Sequence, residues 1–138
     1  MTRHGVTEDA PEEAFPGQNS IRAYVRKGPM QWYDPDFDWT PFWEGVEMNG
    51  DMFNYVWGTL LAEIDITQGL DALDRPVFLA LGRYDFVVAP PSSWDPVKPH
   101  FKDLTVRIFD KSGHHPQYEQ SALFDSEVLT WMRETGSP

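Results

Sequence analysis

The hydrophobic pattern predicts one buried strand in the second half of the chain. Residues 77–81 read VFLAL and end at Gly82. A continuous apolar run of this length is typical of a strand that is covered on both faces, as in a parallel sheet. Asp85 follows three residues after the glycine, in the loop at the carboxyl end of that strand. The pattern therefore predicts a carboxylate at the end of an interior strand.

A second strand is predicted at residues 105–109, where apolar and polar positions alternate. Its carboxyl end leads into Ser112-Gly113-His114. Residues 91–97 lie between the strands and open on proline, which is tolerated in a first helical turn, so they predict a short helical crossover. Two parallel strands joined in this way end at the same edge of the sheet, where open parallel sheets carry their active sites. We therefore expect Asp85 and His114 at one edge.

Helical periodicity and capping residues predict the remaining elements. The predicted helices are residues 21–27 after a cap at Asn19 or Ser20, residues 42–48 after Thr40-Pro41, residues 52–61, and residues 122–133 with Leu123, Phe124, Val128, Leu129 and Met132 as the buried stripe before a terminal Gly136. Residues 1–19 are polar and rich in acids, which predicts a weakly ordered lead-in. The sequence thus divides into that lead-in, a helical segment at 20–65, and a sheet-bearing segment at 66–138.

Composition narrows the classes of function. The formal net charge is −11, which disfavours nucleic acid and anionic membranes as partners because both repel it. The chain has no cysteine and no stretch of 18 consecutive apolar residues, and its first residues lack the apolar core of a signal peptide. We expect a cytoplasmic protein. A glycine-rich phosphate loop and a spaced set of metal ligands are both missing from the sequence, so no cofactor and no metal are expected.

An aspartate and a histidine at neighbouring strand ends are two of the three members of a catalytic triad. The segments LGRYDFVVAP and SGHHPQYEQ, whose Asp85 and His114 lie 29 positions apart, resemble the second half of α/β-hydrolases. The closest resemblance is to the proline iminopeptidase-like branch, with its acid in G-R-x-D and its base in G-H-x-P-x-x-E. The resemblance implies that Asp85 is the triad acid and His114 the triad base. It also implies that Glu119 supports the histidine loop, while His115 falls on a variable position of the motif.

The same resemblance implies an α/β fold that is part of an α/β-hydrolase: a helical cap segment, then the last two parallel strands and a C-terminal helix. Residues 20–65 correspond to the cap, which roofs the substrate pocket in this family. Glu44, Glu47 and Asp51 are acids near the aromatic residues of that segment, and cap acids of iminopeptidases hold the free amino terminus of the substrate. Glu44, Glu47 and Trp57 are thus candidate substrate-binding residues. A solvated acidic face and an ordinary aromatic core are the alternatives.

The nucleophile of the triad is missing from the sequence. Hydrolases of this fold carry it in a G-x-S-x-G elbow before the acid, and none of the serines here has glycine two places before and after it. Three interpretations follow: a serine hydrolase part whose elbow lies on another polypeptide, an inactive truncated remnant, or a binding module without catalysis. The first implies a missing N-terminal hydrolase half as partner, with a small molecule or peptide as substrate of the completed site. Self-association through the edge of the strand at 77–82 is the alternative partnership.

Overall fold

The computed structural model describes residues 18–65, 67–88 and 90–136. The chain forms two compact units. Residues 18–29 and 35–65 belong to the first unit, and Met30–Asp34 joins the residues after 66 in the second. We call Met30–Asp34 the strap. The predicted lead-in falls almost entirely outside the described residues.

The second unit is built on two parallel strands, as the sequence predicts. Strand β1 is Val77–Gly82 and strand β2 is Leu104–Phe109. They pair in register from Val77 opposite Leu104 to Gly82 opposite Phe109. Their carboxyl ends therefore meet at one edge, and the loops that follow them are neighbours.

The crossover between the strands differs from the single short helix predicted at residues 91–97. Two 3₁₀ turns, Pro91–Trp94 and Lys98–His100, take its place. Pro96 and Pro99 have no backbone N–H to continue an α-helical ladder, so the chain makes short turns instead. Before β1 lies the short helix Thr67–Leu70.

The C-terminal helix covers one face of the sheet. It spans Ser121–Thr135 and ends at Gly136, whose φ of 66° is the left-handed conformation common after a helix. Phe124 packs against Phe78 and Phe109, with ring centroids 6.5 and 5.7 Å apart, and Trp131 lies 5.6 Å from Phe78. The ring of Phe109 is almost fully buried by these contacts. This layer is the core of the second unit.

The predicted stripe of the C-terminal helix is only partly correct. Phe124, Val128 and Met132 are half-buried, but Leu123 and Leu129 are exposed. A sheet of two strands, which lie about 4.8 Å apart, offers the helix a narrow face to cover. The stripe in contact is narrower than a full amphipathic face for that reason.

The first unit gathers around the helix Asn19–Val25, whose Ile21 is fully buried against Val25, Trp43 and Met48. The helix predicted at residues 21–27 begins two residues earlier, and the predicted cap at Asn19 or Ser20 is wrong, because Gln18 precedes the helix and makes no side-chain cap bond. The side-chain oxygen of Asn19 instead accepts from Arg22. The short helix Gly28–Gln31 follows.

The predicted helix at residues 42–48 is also wrong. One 3₁₀ turn, Thr40–Trp43, occupies its start, and Gly45 then adopts φ 72°, which a continuing right-handed helix does not allow. The helix predicted at 52–61 is confirmed and is longer. It comprises Gly50–Tyr55, the π-helical turn Val56–Leu60, and Leu61–Glu63. Asn49 caps it by accepting from the N–H of Met52 at 3.0 Å.

Among the described residues, no helix combines the length and the apolar character that crossing a bilayer requires.

Candidate active site

The acid of the candidate site lies in the loop after β1. The N–H of Arg83 continues the strand pairing to the carbonyl of Phe109 at 3.0 Å. Asp85 follows, and its Oδ1 accepts from the N–H groups of Val87 at 3.0 Å and Val88 at 3.2 Å. These two bonds fix the rotation of the carboxylate. Its second oxygen, Oδ2, is left to face the loop after β2.

The histidine of the candidate site meets that oxygen. Nδ1 of His114 lies 2.7 Å from Oδ2 of Asp85. The Asp85 side chain is 12% exposed and that of His114 is 35% exposed. Within the described residues nothing hydrogen-bonds to Nε2 of His114, the nitrogen that points away from the acid. The expected proximity of the two residues is therefore present, with one imidazole nitrogen paired and the other available.

The pair shifts the protonation equilibria of both groups. The hydrogen bond that His114 donates to Asp85 is the main cause that raises the pKa of His114 above its ordinary value; partial burial opposes it and the carboxylate charge adds to it. For Asp85, partial burial works to raise the pKa, but the bonds from His114, Val88 and Val87 and the charge of His114 outweigh it. The pKa of Asp85 therefore lies below its ordinary value. Both shifts favour a carboxylate beside an imidazolium.

The carboxylate of Glu119 bonds to the loop that carries His114 and to the segment Met30–Asp34. Its Oε2 accepts from the N–H of Gly113 at 2.7 Å, and its Oε1 accepts from the N–H of Tyr33 at 2.5 Å. Bonds from two N–H groups to one carboxylate are charge-assisted and short, which favours a rigid loop. This is the structural role that the resemblance implies for Glu119.

The strap ties the acid loop and the histidine loop together. The carbonyl of Gln31 accepts from the N–H of His114 at 2.6 Å, and the carbonyl of Met30 accepts from the N–H of Phe86 at 3.0 Å. A Cβ at Gly113 would lie 2.2 Å from the carbonyl oxygen of Gln31, so only glycine permits this approach. The strap was missed by sequence reasoning, since contacts across more than 50 residues leave no local periodicity.

The two loops also touch each other directly. The N–H of Tyr84 donates to the carbonyl of Ser112 at 2.9 Å. A Cβ at Gly82 would come within 1.7 Å of the carbonyl oxygen of Gly113, so the last residue of β1 must also be glycine. Ser112 itself is fully buried, and its hydroxyl donates to Oε1 of Gln120 at 3.0 Å. The loop that carries His114 is thus bonded to the strap, to the loop after β1 and to Gln120.

The three candidate substrate-binding residues belong to the first unit. Glu44 and Glu47 have exposed side chains, and Trp57 is 57% exposed while its ring packs 6.0 Å from that of Phe53. Their role toward a substrate stays a prediction. In the part of the chain that the structure describes, no three His, Asp or Glu side chains converge as metal ligands.

Chemically, the arrangement is an imidazole paired with a carboxylate through one ring nitrogen. An imidazole oriented by a carboxylate can take a proton at Nε2 from a hydroxyl and return it to a leaving group. The sequence of 138 residues supplies no G-x-S-x-G elbow to present that hydroxyl.

Comparison with known proteins finds similarity in both sequence and fold. No family model matches the chain. The chain is 33% identical over 117 residues to the AB hydrolase superfamily protein YclE of Bacillus subtilis (strain 168), a match that covers 85% of this chain and 42% of that protein. The fold of this chain resembles that of an alpha/beta fold family hydrolase from Bacillus anthracis str. Sterne. The TM-score is 0.61 at 18% identity, and the match covers 83% of this chain and 41% of the other. The chain thus spans less than half the length of both relatives. The two comparisons show that the chain has part of an α/β-hydrolase fold.

Proposed function

We propose that this chain carries the acid and the base of a serine hydrolase, Asp85 and His114, and that the serine belongs to a hydrolase segment outside these 138 residues. One observation carries the proposal: Nδ1 of His114 is paired with Asp85 at 2.7 Å while Nε2 stays available. The similarity to YclE supports it, because the match covers 85% of this chain.

In the completed site the serine hydroxyl attacks a carbonyl carbon and gives its proton to Nε2 of His114. Asp85 stabilises the resulting imidazolium and keeps its ring in the required orientation. The imidazolium then protonates the leaving group, and a water repeats the cycle to release the acid. The raised pKa of His114 and the lowered pKa of Asp85 favour the charged pair that this step forms.

The partner in this proposal is the rest of the hydrolase fold, and β1 offers it a place to dock. The N–H of Val77 donates to Asp103 and that of Arg83 to Phe109, so the odd-numbered residues of β1 face β2. The N–H groups of Phe78 and Ala80 therefore point to the opposite edge, along an entirely apolar strand. Such an edge is a template for another strand.

The edge of β2 is less suited to this purpose. Arg107 interrupts that strand with a charge, forms an ion pair with Glu127 at 2.6 Å, and donates to the carbonyl of Val106 at 3.1 Å. Charged residues are typical of strands that end a sheet. We therefore assign the docking edge to β1, with self-association of two copies as the competing outcome.

For the substrate, we propose a peptide or small amide with a free amino terminus, as in the proline iminopeptidase-like branch. The motifs around Asp85 and His114 support this branch. Glu44 and Glu47 are exposed acids suited to an ammonium group, and Trp57, ten residues after Glu47, offers an exposed apolar ring.

A chimera tests the function. This chain replaces the matched part of YclE, and the hybrid is assayed on arylamide and nitrophenyl ester substrates with intact YclE as reference. We expect turnover by the hybrid that falls by a factor of 10³ or more, as an order of magnitude, in His114→Ala. The 138-residue chain alone should show none, since it has no activated nucleophile.

Two results would contradict the proposal. One is turnover by a folded hybrid that survives both His114→Ala and Asp85→Asn. The other is a folded hybrid without any turnover while intact YclE is active on the same substrates, which favours the inactive remnant or the binding module.

A further inference from the structure

Gln31 makes two separate contacts with the histidine loop. Its carbonyl accepts from the N–H of His114 at 2.6 Å, and its side-chain Oε1 lies 3.2 Å from Nε2 of His115. The residue is 1% exposed. Its Nε2 is buried and has no hydrogen-bond partner among the described residues. Among the described residues, the oxygen is thus the atom of the side-chain amide that makes a hydrogen bond.

His115 is fixed on its other side by an aromatic contact. Its ring lies 4.5 Å from the ring of Trp32 at a tilt of 36°, and Trp32 is itself buried. The rings of His115 and His114 are 5.1 Å apart and nearly perpendicular. Two imidazolium charges at that separation would repel each other strongly in a half-buried site.

We propose that Gln31 is a positioning residue for the base: its amide oxygen accepts from Nε2–H of His115 and holds that ring against Trp32, and because the amide carries no charge it leaves the proton available to the two histidines on His114. The amide matters because it accepts a hydrogen bond without carrying a charge. A carboxylate at the same place would attract the proton to His115 instead. The benefit of this arrangement depends on the proposed function. The proposal itself concerns the protonation of the two histidines, and it is tested without measuring turnover.

The surrounding charges agree with this assignment. Among the described residues, the titratable groups near the two rings include Asp85, Glu119, and Tyr118, whose ring packs 5.5 Å from that of Trp32. Asp85 bonds directly to His114, and Glu119 is engaged by two backbone N–H groups. Burial and then the charge of His114 hold the pKa of His115 below its ordinary value. The pKa of His114 is raised by its bond to Asp85.

The test is a pH titration of the imidazole nitrogens of the 138-residue chain by ¹H–¹⁵N NMR. The wild type should show His115 neutral with its proton on Nε2 while His114 titrates. Gln31→Glu keeps the shape and the acceptor and adds a charge beside His115. We expect the proton affinity of His115 to rise about tenfold or more.

A double variant tests whether His115 lies between the new charge at residue 31 and the pKa of His114. In Gln31→Glu/His115→Phe the new charge has no His115 to neutralise it, so the pKa of His114 should lie higher than in Gln31→Glu alone. The matched control is Gln117→Glu, the same substitution at an exposed position two residues after His115. Solvent screens that charge, and it should leave His115 unchanged.

The proposal is overturned if His115 titrates alike in the wild type and in Gln31→Glu, or if Gln117→Glu shifts it as much. If Gln31→Glu does not fold, Gln31→Met decides, because it keeps the volume and removes the acceptor. His115 should then lose its fixed Nε2–H tautomer. An unchanged tautomer in that variant refutes a positioning role for Gln31.

Discussion

Replacing Glu119 with glutamine removes one of the two acceptors that hold the histidine loop. The carboxylate accepts from the N–H of Gly113 and from the N–H of Tyr33, at 2.7 and 2.5 Å. An amide offers one oxygen and one NH₂ group, so one of these two N–H groups would face a donor. The side chain is half-buried, and water therefore replaces the lost partner only in part.

The expected loss in the free energy of unfolding follows from the typical free energies of such hydrogen bonds. A hydrogen bond to a charged group contributes roughly 1.5–3 kcal/mol, and a buried donor left without a partner costs about 1–3 kcal/mol. We expect Glu119→Gln to lower the free energy of unfolding by about 2 kcal/mol. With a urea m-value of roughly 2 kcal/mol/M, the unfolding midpoint should fall by about 1 M.

The shift of the unfolding midpoint is measured by urea titration with tryptophan fluorescence as the signal. Trp32 lies next to Tyr33 in the strap and reports on this region. Glu127→Gln is the matched control. Glu127 pairs with Arg107 at 2.6 Å with both side chains partly exposed, and such pairs are worth about 0–1 kcal/mol. Equal midpoints for Glu119→Gln and Glu127→Gln would refute the view that Glu119 holds the histidine loop.

Three further outcomes are expected. Phe109→Ala should lower the free energy of unfolding by about 3–5 kcal/mol in urea titration, because the ring is almost fully buried; a loss under about 1 kcal/mol would contradict this. The raised pKa of His114 gives stability that is present below its ordinary value of 6.5 and lost as pH rises through the folded pKa, and the lowered pKa of Asp85 gives stability that is present above 3.8 and lost as pH falls through its folded pKa. The difference in unfolding free energy between wild type and Asp85→Asn should thus be largest between roughly pH 4 and 6.5, and a difference independent of pH would count against the pair. Ala80→Pro should abolish any association through β1 in sedimentation experiments, whereas Val106→Pro on β2 should not; the reverse result would move the docking edge to β2.

Much of the site could be predicted because its determinants are local. The apolar run 77–81 and the alternation at 105–109 each predict a strand within a few residues, and parallel pairing then brings Asp85 and His114 to one edge. The distance between the two side chains follows from topology. No property of either residue taken alone would have given it.

The failures of prediction have equally physical causes. The helix expected at residues 42–48 stops because Gly45 takes a positive φ, and the crossover splits because Pro96 and Pro99 lack a backbone N–H. Apolar spacing does not record either effect. The positions of turn residues carry this information only when their backbone angles are known.

The contacts of the strap show a different limit of prediction from sequence. Gln31 contacts residues more than 80 positions away through its carbonyl and its amide oxygen. In the sequence it belongs to an aromatic, turn-rich stretch that resembles many loops. Contacts of this range depend on the assembled fold, so a single sequence gives no signal for them.

The pairing of Asp85 with His114 is the central claim, and one titration tests it most directly. The pKa of His114 is measured by NMR in the wild type and in Asp85→Asn, each checked for folding. Asparagine keeps the shape of the side chain and removes the charge, so the pKa of His114 should fall from its raised value to 6.5 or below. An equal pKa of His114 in both proteins would show that Asp85 does not stabilise the imidazolium, and the acid–base assignment would be wrong.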